Sequence, residues 1–265
     1  MFLFGLGIYM YPYIADVWNS YRNSMMIEEY KTAATTETES YNEELKQADE
    51  YNRKLSHTTK QVVTDMEKEI NSEYEALLSF NGSDIMGYIE IPKIQVAVPI
   101  YHYSTDEILD KGIGHIHGSS LPVGGKNTHA VLTGHRGLPE SKLFTDLDQI
   151  EKNDRFYIHS LTRNLAYRVT KIQVVLPHEV NSLKIVPEKD LVTLVTCTPY
   201  GVNSHRLLVT GTRCKYDMET FEQENVKGKE LVAKSKFNGI NSLVIGLIIF
   251  MSIILVSIMI SNRRR

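Results

Sequence analysis

Hydrophobic and polar positions divide the 265-residue chain into stretches of different period. At the two ends apolar residues run almost unbroken, as "MFLFGLGIYMYPYIADVW" over 1–18 and "LVIGLIIFMSIILVSIMI" over 243–260. The second run is free of charge over about 18 residues, and with Ile240 to Ser242 it is long enough for the ~30 Å of a bilayer's hydrocarbon, which predicts a transmembrane helix over 240–262. Residues 19–80 are polar, rich in Glu and Lys and nearly free of Gly and Pro. Within them Tyr41, Leu45, Ala48, Tyr51, Asn52 and Leu55 recur at near-helical spacing, which predicts two helices broken near "SHTT". From Met86 the period shortens to two, in "MGYIEI", "QVAVPIY", "THAVLTG", "RFYIHS", "LAYRVTKIQVVL", "LVTLVT" and "RLLVTGT". Turn-forming "PVGGKN", "EKND" and "TPYGVNS" separate these runs. Many short strands at this spacing predict a mostly β domain over 81–215, a barrel or sandwich, interrupted by one compact helix at "ESKLFTDLDQI". Residues 216–239 turn polar again and read as a linker to the C-terminal span.

Charge orients this layout. Arg263, Arg264 and Arg265 follow the C-terminal span, and clustered arginines beside a span mark the cytoplasmic side, so the body is expected outside. The N-terminal run is shorter, contains Pro12 and has no basic residue before it. It reads as a second membrane segment or a signal anchor, with Tyr13 and Trp18 suited to the interface. The balance of 29 Lys+Arg against 32 Asp+Glu leaves a net charge of -3 and gives no electrostatic reason for a nucleic-acid partner. Two cysteines do not make a disulfide framework. If Cys197 and Cys214 lie on two arms of one hairpin, they stand roughly 25 Å apart at about 3.3 Å per residue. A disulfide needs Cα atoms within about 7 Å, so the two are not expected to pair.

The candidate chemistry gathers around Cys197, where the strand "TLVTC" gives way to a Pro/Gly loop. A thiol acts as a nucleophile through its thiolate, which needs a cationic neighbour. A hairpin whose loop lies between Cys197 and His205 sets Arg206 across from the thiol, about 5 Å away, where a guanidinium stabilises charge developing on a carbonyl oxygen. His135, in "VLTGHRG", ends another apolar strand as Cys197 ends its own, and is the candidate proton carrier. His115 and His117 have the i, i+2 spacing that turns both to one face of a strand, and with His129 they raise a metal site as an alternative. No second cysteine or acidic ligand falls at a matching spacing, and no metal is expected.

Taken together, "LTGHRG", "TLVTC" and "HRLLV" resemble the sortase family of Gram-positive transpeptidases, and "GYIEIPKI", "LPVGG" and "TLVTCTPYGVNSHRLLV" are similar to its pilin-polymerising class C. The resemblance covers 84–213. It implies an eight-stranded sortase-type β-barrel with an N-terminal helical region, held outside the cell membrane by a segment at each end. It also implies cleavage of a Leu-Pro-x-Thr-Gly sorting signal between Thr and Gly. Cys197 would form a thioacyl enzyme, His135 would protonate the leaving amine, and Arg206 would hold the oxyanion. A lysine amine of another pilin subunit would resolve the intermediate, and no cofactor is required. Class C enzymes carry an Asp-Pro-aromatic lid, a dipeptide this sequence lacks; by position Asp65 and Met66 are the candidate lid residues. Three alternatives are a sortase attaching proteins to cell-wall peptide, a metal-dependent hydrolase and a wall-sorted structural protein. The last would need a Leu-Pro-x-Thr-Gly ahead of Leu243, where the chain reads "KSKFNGINS".

Overall fold

In a computed structural model, which describes residues 2–36, 38–57, 72–138 and 140–233, the short apolar runs form eight strands. They are β1 (Ile85–Ile91), β2 (Val96–His102), β3 (Ile113–His115), β4 (Thr128–Thr133), β5 (Arg155–Ser160), β6 (Arg163–Val175), β7 (Asp190–Thr198) and β8 (His205–Cys214). The strands close into a barrel in the order β1-β2-β3-β4-β7-β8-β6-β5. Two neighbouring pairs are parallel, β2 with β3 and β4 with β7, and the rest are antiparallel. A parallel neighbour needs a crossover connection. Between β2 and β3 it carries a short helix that the strand pattern did not reveal.

Alternation along β4, β7 and β8 sorts their side chains between two faces. Ala130, Leu132, Val192, Leu194, Leu207 and Val209 fill the main core. Val131, Val195 and Leu208, one position out of phase, form a smaller cluster with Ile116 and Leu183 under the β6–β7 connection. The two clusters lie on opposite faces of one stretch of sheet, so residues near the ends of these strands are sorted the same way.

The N-terminal region is helical, with α1 (Phe2–Thr36), α2 (Thr38–Ser56) and α3 (Ser72–Ala76). Helix α2 ends where "SHTT" begins. Residues 2–18 of the expected N-terminal membrane segment belong to the start of α1, and among the described residues no helix is long and apolar enough to cross a membrane. The expected C-terminal span and its arginines lie outside the described residues.

Buried polar groups fasten these helices to the barrel. On α1, the Tyr30 hydroxyl donates to the Met86 carbonyl at 3.2 Å and accepts the Leu161 N–H at 2.6 Å. On α2, Asn52 is 2 % exposed and binds Leu121 twice, receiving its N–H at 2.7 Å and donating to its carbonyl at 3.0 Å. The connecting helix between β2 and β3 is α4 (Asp106–Lys111).

Two expected elements take other forms. "ESKLFTDLDQI" is a series of turns ending in a 3-10 turn at Leu147–Gln149, not a helix. Leu143, Phe144 and Leu147 are buried at helix-like spacing, but the Phe144 N–H is taken by the His135 carbonyl at 3.2 Å, which diverts the chain. Within the polar stretch 216–239, expected as a linker, residues 218–233 form a helix α5. Glu224 on α5 meets Arg155 and the Tyr157 hydroxyl, each at 2.6 Å, and Phe221 sets its ring edge-on to Tyr157. Its polar residues are therefore partly bound to the barrel, not all solvated.

Candidate active site

Hydroxyls in the run 193–198 set the end of β7. Thr193 and Thr196, the two threonines of "TLVTC", both tie β7 to β4. His129 Nδ1–H donates to the Lys184 carbonyl at 2.8 Å, so Nε2 is the acceptor for the Thr193 hydroxyl at 2.7 Å. Thr210 of β8 then donates to Thr193 Oγ1 at 2.8 Å, joining the third strand. Thr196 donates to the Gly134 carbonyl at 2.8 Å, and the Gly134 N–H donates to the Val195 carbonyl at 3.1 Å. Strands β4 and β7 thus leave the barrel side by side.

That pairing brings the three sequence-predicted residues to one place. The ladder of the parallel strands β4 and β7 ends at Thr133 opposite Val195. His135 stands two residues past Thr133, as Cys197 stands two past Val195. Across the hairpin, Cys197 and Arg206 are direct register partners. Cys197 shares the parity of Val195, and Arg206 that of Leu208, so both belong to the face of the smaller apolar cluster. Both cysteines are free, and Cys214 lies at the far end of β8, opposite Ala166.

The surroundings are polar and partly open. One Arg206 amino group, Nη1, donates to the carbonyls of Asn203 and His205, each at 3.3 Å, which leaves its other donors without protein partners among the described residues. His135 is one-third exposed, and its Nε2 lies 3.9 Å from Asp110 Oδ1 at the end of α4. That is an ion-pair separation, beyond hydrogen-bond length. A thiol, an imidazole and a guanidinium with free donors, converging at the lip of a barrel, form a set suited to acyl transfer.

The candidate histidines His115 and His129 are engaged elsewhere. His115 Nε2–H donates to the Ser120 carbonyl at 2.8 Å, and its Nδ1 accepts the Tyr74 hydroxyl at 2.8 Å. Burial pushes the His115 pKa down to about 3, with His102 and His117 adding smaller repulsions against a weaker opposing hydrogen bond to Ser120. His129 is likewise pushed down by burial, and the Lys184 hydrogen bond opposes this only in part. Among the described residues no group of three His, Cys, Asp or Glu side chains has the arrangement of a metal site. Asp65 and Met66 lie outside the described residues.

Sequence reasoning missed Arg136 and Asp148, which meet beneath the site. Arg136 was visible only as the neighbour of His135, and Asp148 sat inside the segment read as a helix.

A closed barrel with a thiol at its rim and an arginine directly across from it defines the class. Comparison with known proteins makes it specific, since a profile described as "Sortase domain" matches residues 89–214. Sortase C1 of Streptococcus agalactiae superposes with a TM-score of 0.68 at 40 % identity, covering 73 % of this chain and 98 % of that one. Sortase C of Streptococcus pneumoniae, whose crystal structure is described as bearing on catalysis and pilin substrate specificity, superposes at 0.66 and 39 % identity over 72 % of this chain and 97 % of its own. Among curated sequences, sortase A of Bacillus anthracis is 30 % identical over 135 residues, 50 % of this chain and 61 % of that protein. The match therefore spans under two thirds of that relative's length. The chain belongs to the sortase family.

Proposed function

We propose that this chain is a cysteine transpeptidase that polymerises pilins. It would cleave a Leu-Pro-x-Thr-Gly sorting signal between Thr and Gly and pass the acyl group to a lysine amine of another pilin subunit. The observation that carries this reading is the register pair Cys197–Arg206 with His135 at the end of the adjoining parallel strand. Likeness to the sortase C structures supports the choice of pilins over other surface proteins.

In the first half-reaction the Cys197 thiolate attacks the threonine carbonyl, and the C–N bond to glycine breaks. The electron pair on carbon–oxygen passes through an oxyanion that Arg206 Nε–H and Nη2–H are free to meet. His135, protonated on its ring, gives that proton to the departing glycine amine. In the second half-reaction a lysine amine attacks the thioester, His135 takes back a proton, and the thiolate leaves with an isopeptide bond formed. Donors aimed at a developing oxyanion contribute about 10²–10³-fold in rate, so Arg206→Ala should lower kcat by that factor.

Replacing Cys197 by Ala in the producing cell is the test. The expected result is loss of covalent pilin ladders with the protein still made and folded, while ladders that persist would overturn the proposal. Competing a pilin lysine peptide against a peptidoglycan-type amine in vitro separates polymerisation from attachment to the wall; preference for the wall amine would contradict the pilin reading.

A further inference from the structure

Past the last ladder pair, β4 and β7 each continue by alternating sides. His135 and Cys197 fall on one side, and the residues that follow them, Arg136 and Thr198, fall on the other. On that inner side the chains are joined: Arg136 Nη1 donates to Thr198 Oγ1 at 3.2 Å. Its Nη2 pairs with Asp148, just before the chain re-enters β5. The guanidinium also lies 5.9 Å from the centre of the Tyr200 ring, three residues past the thiol. Gly137 completes the contact, because with φ +83° and the Tyr200 ring 2.8 Å from where a Cβ would stand, only glycine fits.

We propose that Arg136 is a positioning residue that fixes the separation of His135 and Cys197 by clamping together the two strand ends that carry them. The inference rests on the reading of those two residues as the reacting pair. Two features set this arginine apart from a surface ion pair. Its side chain is only 8 % exposed, and its Nε–H is buried without a hydrogen-bond partner among the described residues. An unmatched buried donor is unfavourable, and an apolar side chain would fill the same space without that cost. What an apolar side chain would lack is the fork, whose two arms reach Thr198 on one strand end and Asp148 on the segment that braces the other. A lysine would lack it too, having one point of attachment.

The test uses three variants of the full chain, Arg136→Ala, Arg136→Lys and Thr198→Val, and Arg163→Ala as a control, with sorting-peptide cleavage and the pH profile of Cys197 alkylation by iodoacetamide as readouts. A misplacement of about 1 Å in a reacting pair costs about 100-fold, so Arg136→Ala should lower kcat by that order and leave KM within a few-fold. Its alkylation profile should differ from that of the unsubstituted chain. Arg136→Lys, which keeps the charge, should recover little, and Thr198→Val should move both readouts in the same direction by less. Arg163→Ala, which breaks a comparable fork to Asp49 at the β5–β6 turn, should lower stability and move neither readout. Folded Arg136→Ala with unchanged kcat and alkylation profile would overturn the inference. If Arg136→Ala does not fold, unchanged readouts in Thr198→Val and Arg136→Lys would do the same. Cleavage surviving in Cys197→Ala would instead remove the reading of the site on which the inference rests.

Discussion

Single side chains in this barrel serve opposite ends of the same strands. The thiol stands where β7 leaves the barrel, and four residues earlier Thr193 is held by His129, whose hydrogen is fixed on Nδ1 by the Lys184 carbonyl. His115 is fully buried and uncharged, and this makes stability depend on pH. Its folded pKa, about 3, lies below the ordinary value of 6.5, so the unfolded chain binds the extra proton first. The contribution is therefore complete above about pH 6.5 and is lost as pH falls toward about 3. His115→Gln should be less stable at neutral pH and should flatten that slope; urea midpoints at about pH 7 and about pH 4.5 measure it. An unchanged slope would mean that other groups carry the acid sensitivity. At this scale the sequence was most legible at Cys197, Arg206 and His135, because strand ends and hairpin pairing follow from alternation and turn residues. Arg136 was not legible, since its role depends on Asp148, which no periodicity ties to it.

The helices depend on the barrel more than on themselves. Helix α2 buries Tyr41, Leu45 and Ala48 in the core, and the twofold contact of Asn52 with the Leu121 backbone ties it further to the barrel. Leaving both backbone groups without partners should cost about 2–4 kcal/mol, so Asn52→Ala is expected to lower unfolding free energy in denaturant by that amount. A change below about 0.5 kcal/mol, the range of ordinary surface substitutions, would show that water replaces the amide without penalty. Helix α5 makes a closer approach. A Cβ on Gly228 would stand 1.9 Å from the Pro92 carbonyl oxygen. In an open helix Gly→Ala stabilises by about 1 kcal/mol, but here the alanine should push α5 off the barrel. Faster amide exchange across 221–231 in Gly228→Ala is the expected readout, and unchanged or slower exchange would contradict the contact. The polar pattern that suggested a linker did not reveal the helix there, because Glu224 finds its partners on Arg155 and Tyr157 of β5, which no periodicity ties to it. The reverse error made a helix of "ESKLFTDLDQI", where apolar spacing came from plugging the core and the backbone bonds went elsewhere.

For the whole molecule, the closed barrel gathers the ends of β4 and β7 at one rim. The parallel pairing of β4 and β7 matters most, because it carries the ends of two strands to the same rim, and the hairpin to β8 returns Arg206 there. This much could be anticipated from the resemblance, while the strand order could not be read from alternation alone. The most direct measurement of the central claim is the mass of the intact chain after brief mixing with a peptide containing Leu-Pro-x-Thr-Gly and no amine acceptor. The account predicts an adduct equal to the peptide acyl group ending at threonine, mapped to Cys197 and discharged by a lysine amine. Peptide cleaved with no adduct on Cys197, or an adduct that forms equally in Cys197→Ala, would contradict it.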